Sequence, residues 1–176
     1  MDFAAVLDRL AAFLEERRQP YAVVGGVALA AYGIVRTTID LDLAVDRSVQ
    51  EELVRFMETL GYATLYRSEG YSNHGHADED RGRVDFVYLR GETSRSLFAA
   101  VRRVAGPRDR LVPVPSPEHL AAMKIQAMRD DPSRTWQEMA DVRALVGLPD
   151  VDRAAVRESF ARCGLLERWN ELARTL

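Results

Sequence analysis

Hydrophobic positions change period several times along this chain, and each change predicts an element. Phe3, Val6, Leu7, Leu10, Phe13 and Leu14 recur at helical spacing, which predicts an amphipathic helix over 3–18 ending near Gln19-Pro20. Tyr21 to Val24 is a short β-rich run, Gly25-Gly26 a tight turn, and Val27 to Tyr32 an Ala/Leu-rich helix. Ile39, Leu41 and Leu43 then alternate with Asp40, Asp42 and Ala44, the period-two pattern of a half-buried strand. Val49, Leu53, Phe56, Met57 and Leu60 mark a second amphipathic helix that Gly61 closes, and Tyr62 to Arg67 reads as a strand. Residues 68–82 mix Gly, Ser, Asn, His and acids, which predicts a long hairpin loop or an irregular edge.

Arg83 to Leu89 is a strong strand, with Val84, Phe86 and Tyr88 on one face and Asp85, Val87 and Leu89 on the other. Ser96 to Val104 reads as a helix, and Leu111 to Pro115 as an edge strand whose prolines remove ladder donors. Ser116 then caps a helix with Pro117 in its first position and a stripe of Leu120, Ala121, Lys124, Ile125 and Met128. Further helices follow over 136–146, with Trp136, Met139, Ala140, Arg143 and Val146 along one side, and over 151–162 and 165–176. The layout predicts an α/β (α+β) core over 1–115, a mixed β-sheet flanked by helices, and a helical subdomain over 116–176.

At 176 residues, 47% hydrophobic and 29% charged, the chain is long enough for a real core and too apolar for disorder. A net charge of −3 gives no global basic field, so any nucleic-acid contact needs a local patch. The single Cys163 forms no internal disulfide, and no signal peptide or membrane-length apolar run is visible, which predicts a cytoplasmic protein without a membrane partner. Among 24 basic residues Lys124 is the one lysine, the rest being arginine.

Chemistry concentrates where the glycines and acids fall. Gly25-Gly26 lets a backbone approach a ligand without Cβ interference and, with the following helix N-terminus, predicts an anion seat. Asp40 and Asp42 share one strand face roughly 6.7 Å apart along the backbone, and two such acids repel unless a cation joins them. Asp85, an acid on an otherwise apolar strand face, invites the same metal reading. Lys124 is either a snorkelling stem or an ammonium that neutralises phosphate charge. Glu138 and Asp141, three apart, read as a solvated face or as groups that orient Arg and Lys side chains. His74 and His76 read as contacts for an acceptor or a base rather than zinc ligands, and Tyr66, Tyr71 and Tyr88 as strand-rim packing or base-stacking rings.

Gly25-Gly26, thirteen intervening residues, Asp40-x-Asp42 and the later Asp85 resemble the nucleotidyltransferase fold of the DNA polymerase β superfamily. The stretch from Ser116 through Lys124 and Arg134 to Asp141-Val-Arg-Ala-Leu145 is further similar to AbiEii-type nucleotidyltransferases, whose members include toxins of type IV toxin–antitoxin systems. Where those proteins carry a Lys-Asp pair ahead of a further Asp, this chain has Gln137-Glu138 ahead of Asp141. The resemblance implies Mg2+ or Mn2+ held by Asp40, Asp42 and Asp85, an NTP triphosphate cradled at Gly25-Gly26, and nucleoside monophosphate transfer to an acceptor with release of pyrophosphate. Lys124 and Arg36 would stabilise the departing charge, with Thr37 and Thr38 as phosphate donors and Glu138 and Asp141 in support. The helical subdomain would complete the active site. The acceptor stays open among tRNA or other RNA, a protein and a small molecule such as an antibiotic, and an antitoxin is the implied partner protein. The alternative is a relative that binds a nucleotide or a partner without catalysis.

Overall fold

The computed structural model describes residues 3–106 and 111–176, and the chain divides into two compact units, one up to Pro115 and one from Ser116. In the first unit the elements run α1 (Phe3–Glu16), β1 (Tyr21–Val23), α2 (Gly25–Ala31), β2 (Asp40–Asp46), α3 (Gln50–Thr59), β3 (Tyr62–Arg67), β4 (Tyr71–His76), β5 (Arg83–Leu89), α4 (Gly91–Ala99), β6 (Arg102–Ala105) and β7 (Leu111–Val114). Five strands form one mixed sheet in the order β1-β2-β5-β4-β3, with β2 and β5 parallel and the other pairs antiparallel. β6 and β7 form a separate antiparallel pair.

Period-two alternation splits the large sheet into two faces. Leu41, Leu43 and Val45 of β2 and Val84, Phe86 and Tyr88 of β5 are buried, as are Leu7, Leu10 and Leu14 of α1 and Leu53 and Met57 of α3. Each such side chain contributes about 1.5–3 kcal/mol of burial, so together they dominate the cohesion of this unit. The rings of Phe13 and Phe56 stack 4.1 Å apart and tie α1 to α3. The opposite face of the sheet carries Asp40, Asp42 and Asp85.

Three elements differ from the sequence reading. Residues 71–76 are a central-sheet strand, β4, rather than part of a loop. The helix expected over 96–104 lies at Gly91–Ala99, and Arg102–Ala105 pairs with Leu111–Val114 instead. Ile39 stands outside β2 and is 72% exposed.

β4 escaped notice because its inward face is polar. Ser72 and His74 are fully buried, and the Ser72 hydroxyl lies 2.8 Å from His74 Nε2 and 2.7 Å from the Tyr88 hydroxyl, while Thr64 Oγ1 lies 3.3 Å from Nδ1. Buried polar groups persist when they satisfy one another. His74 is therefore a core residue and no contact for an acceptor; burial pushes its imidazole from 6.5 down to about 4. Because the unfolded chain takes up that proton first, the stability present above 6.5 is lost as pH falls toward 4. Urea midpoints measured across that window should fall with pH in the wild type and flatten in His74→Gln.

The second unit holds α5 (Pro117–Asp130), α6 (Thr135–Val146), α7 (Arg153–Arg162) and α8 (Leu166–Ala173). Ser116 caps α5 with Pro117 in its first turn, and the Asp152 side chain caps α7 by accepting from the backbone of Ala154 and Ala155. Leu120, Ile125, Met128, Val142, Leu145, Val156 and Phe160 fill its interior. The apolar side expected for α6 is rotated: Trp136 is 89% exposed, and Glu138 and Asp141 lie inside with Val142 and Leu145.

Candidate active site

Strand register gathers the acids of the first unit. Asp42 stands opposite Asp85 in the parallel β2–β5 pair, Asp40 opposite Arg83, and Asn73 of β4 opposite Asp85 from the other side. Neighbouring strands lie about 4.7–4.9 Å apart, which brings side chains at matched positions of one face close together. Asp85 does not stand alone: the Tyr71 hydroxyl donates to its Oδ2 and the Asn73 amide to its Oδ1, while Arg83 donates to Asn73 Oδ1 at 3.2 Å. Burial and then the hydrogen bond to Asp85 push the Tyr71 hydroxyl far above its ordinary value, so it remains a donor.

Asp40 is the strained member. Burial raises its carboxyl above 3.8, the charge of Asp85 raises it further, and Arg83 offsets part of this. Its Oδ1 is buried and has no hydrogen-bond partner among the described residues. An orphaned buried oxygen is rare and costly, and it marks a place where something else belongs.

Gly25 and Gly26 form the first turn of α2, against the acidic strand. Gly25 has φ +62°, and a methyl group there would overlap Asp42 Oδ2 and stand 2.6 Å from Asp42 Cγ. At Gly26 it would stand 2.6 Å from Thr38 Cβ. The glycines are thus required first by the protein's own side chains. Thr38 donates to the Asp40 carbonyl at 3.1 Å and accepts from the Asp40 amide at 3.4 Å, so its hydroxyl fixes the start of β2 instead of standing ready as a phosphate donor. Arg36 is half-buried and Thr37 exposed in the segment between α2 and β2. Gly25→Ala is expected to displace the Asp42 carboxylate and to cut nucleotidyl transfer about 100-fold, since roughly 1 Å of misplacement costs that much. Single-turnover rates compared with circular dichroism of the same variant check this.

In the helical unit Lys124 is buried and neither snorkels nor stands unengaged. Its Nζ lies 2.8 Å from Glu138 Oε2 and 2.7 Å from Asp141 Oδ2, and Arg134 pairs with the other oxygen of Glu138. Glu138 and Asp141 are therefore interior ion-pair partners, not a solvated face. Gln137, at the family's lysine position, is exposed, whereas Glu138 retains a carboxylate at the acid position.

Among the described residues no three His, Cys, Asp or Glu side chains form a cage able to hold a metal ion by themselves. Mg2+ does not need one, because it is commonly bound through one or two carboxylates together with substrate phosphates and water. The unpartnered Asp40 Oδ1 beside Asp42 and Asp85 fits such an ion. Asn73 was missed by sequence reasoning because it lies in the supposed loop, and Tyr71 was read as rim packing or a base-stacking ring instead of a donor to Asp85. Their two-residue spacing, shared with Arg83 and Asp85, was the signal available.

No curated protein matches the chain in sequence. Among solved structures, the antibiotic-resistance factor ANT(2'')-Ia has 19% identity and a TM-score of 0.66 over 99% of this chain and 98% of that one. An antigenic nucleotidyltransferase-like protein from Paracoccidioides brasiliensis has 16% identity and a TM-score of 0.58 over 97% and 89%. The lincosamide antibiotic adenylyltransferase LnuA has 15% identity and a TM-score of 0.56 over 82% and 96%. These likenesses establish the nucleotidyltransferase fold. Residues 6–172 match the family described as nucleotidyl transferase AbiEii toxin, type IV toxin–antitoxin system, and the chain accordingly belongs to the AbiEii family of nucleotidyltransferase enzymes.

Proposed function

We propose that this enzyme moves a nucleoside monophosphate from an NTP to a hydroxyl-bearing acceptor in a reaction that requires a divalent metal, and that it serves as the toxin of a type IV pair. The observation that carries the reading is Asp40 Oδ1, buried and unpartnered on the strand face shared with Asp42 and Asp85. Asp40, Asp42 and Asp85 would hold Mg2+ or Mn2+, which neutralises triphosphate charge and makes the acceptor hydroxyl more acidic when bound. The toxin role and an antitoxin partner rest on the family description alone.

The chain's own groups divide the remaining work. The Gly25-Gly26 backbone seats phosphate oxygens, Arg36 and Thr37 add donors, and Thr38 holds the approach to Asp40. Lys124, fixed by Glu138 and Asp141, keeps the role of offsetting triphosphate charge that the family resemblance gives it. Tyr71 and Asn73 fix the orientation of Asp85, which serves either as a metal ligand beside Asp40 and Asp42 or as the group that accepts the acceptor's proton as its oxygen bonds to the α-phosphorus. The bond from the α-phosphorus to the bridging oxygen breaks, and pyrophosphate leaves with that electron pair.

Incubating the protein with labelled NTPs and Mg2+ against total RNA, protein extract and tobramycin tests the proposal. Label should enter one fraction with Mg2+ and none with EDTA. No transfer and no self-labelling in any arm would instead support a binder without catalysis.

A further inference from the structure

The first unit carries a cleft of about 390 Å³ whose lining includes none of Asp40, Asp42 and Asp85. Its apolar walls are Pro20, Phe98, Val101 and Pro113, and the ring of Tyr21 adds a further side. Tyr21 stands opposite Val45 of β2, which lies about 10 Å along the strand from Asp42. The cleft and the acidic strand face are therefore separate places.

Two arginines stand at this cleft without an acid to hold them. Arg18 and Arg103 both line it and are exposed, and neither forms an ion pair with a carboxylate among the described residues. Arg103 stands opposite Pro113 in the β6–β7 pair, which puts the two side chains on one face of the hairpin. Glu15, the acid of the lining, already accepts from the Tyr21 hydroxyl at 3.0 Å.

Arg18 is also held in a strained backbone. At the end of α1, Arg18 N donates to the Glu15 carbonyl and Gln19 N to that of Leu14, and Arg18 takes φ +54°. Glycine is favoured at this helix-end position, because a Cβ crowds the backbone in the left-handed region. The chain keeps a long cationic side chain where the backbone favours none, and that side chain joins no ion pair in the fold. Strain that stabilises nothing inside the molecule points to something bound from outside.

The lining sets the chemistry of what it binds. Two arginines against one glutamate leave one positive charge in excess, which suits a single anionic group and repels a cation. A guanidinium meets a carboxylate through two parallel N–H bonds. The half-buried Phe98 ring, with Val101 and the two prolines, suits an apolar body, and the volume is that of a small-molecule site.

We propose that this cleft binds a small organic acid, its carboxylate taken by Arg18 and Arg103 and its apolar body laid against Phe98 and Val101. The site is independent of the transfer reading given above.

Titrating phenylacetate into the isotope-labelled full chain, with backbone amide shifts as the readout, tests it. Saturable shifts with a Kd of about 1 mM are expected at Gln19, Tyr21 and Val101, with none at Gly25 or Asp42. Phenylethanol, which keeps the ring without the charge, and acetate, which keeps the charge without the ring, should each bind about tenfold more weakly. Arg18→Gly and Arg103→Gln should each weaken phenylacetate about tenfold. Glycine suits φ +54°, so Arg18→Gly should keep or raise the urea midpoint, and its weaker binding then reports the lost contact rather than a folding defect. Equal Kd values in the wild type and both variants would overturn the assignment, as would shifts confined to Gly25 and Asp42 or a wild type that shows no saturation. A lower midpoint in Arg18→Gly would assign that side chain to the fold and remove it from the site.

Discussion

Asp40→Asn and Asp42→Asn are each expected to reduce nucleotide transfer by about 10³-fold or more while leaving the protein at least as stable as the wild type. A metal-stabilised transition state gains several kcal/mol from charge neutralisation, and about 1.4 kcal/mol corresponds to each factor of ten in rate. Asparagine keeps the shape that fills the space over Gly25 and removes only the charge. At position 40 the change also relieves a carboxylate that burial and Asp85 already disfavour. The sign follows from that raised carboxyl: its neutral form is favoured in the fold, so wild-type stability from this group is present below 3.8 and lost as pH rises through the folded value. The stability advantage of Asp40→Asn should therefore be full at neutral pH and vanish as pH falls toward 3.8. Label incorporation with Mg2+ and urea midpoints in EDTA measure the two halves. Retention of a tenth or more of wild-type transfer by both variants would refute the metal assignment.

What the sequence revealed and what it hid have separate physical causes. Gly25-Gly26, Asp40-x-Asp42 and Asp85 stood out because acids on period-two strands and paired glycines break otherwise apolar patterns. β4 broke no pattern, since Ser72 and His74 satisfy each other and Tyr88 inside the protein, and alternation is invisible when both faces are polar. With β4 hidden, Asn73 went unnoticed and Tyr71 was read only as a packing or stacking ring, so neither was seen as a partner of Asp85. Ile39 was misplaced because the Thr38 hydroxyl, bonded to both backbone groups of Asp40, starts the strand one residue later than alternation implies. The face of α6 was misjudged for the opposite reason. Hydrophobicity counts Trp136 as core and Glu138 as surface, but a buried ammonium on α5 reverses the order.

That buried ammonium carries the largest stability effect expected in the molecule. Lys124→Met removes the ammonium that meets an oxygen of Glu138 and an oxygen of Asp141 in the interior, while Arg134 still pairs with Glu138. Removing one partner from a buried ion pair typically costs about 3–5 kcal/mol, most of it the desolvation of the charge left behind. Urea unfolding of the variant should show a loss of that size in the helical unit. The combined variant Lys124→Met, Glu138→Gln, Asp141→Asn removes the abandoned charges together with the lysine and should recover most of the loss, because an apolar or neutral replacement of a whole ionic cluster is often nearly free. Stability and chemistry then separate. An ammonium has three N–H donors, and two of them meet carboxylate oxygens at 2.8 and 2.7 Å, so the proposed role in offsetting phosphate charge would fall to the third. The repaired variant is therefore expected to fold like the wild type and still bind ATP about tenfold more weakly, a difference of one charge-assisted hydrogen bond. Wild-type affinity in the repaired variant would assign Lys124 to helix packing alone and leave triphosphate recognition to Gly25, Gly26 and Arg36.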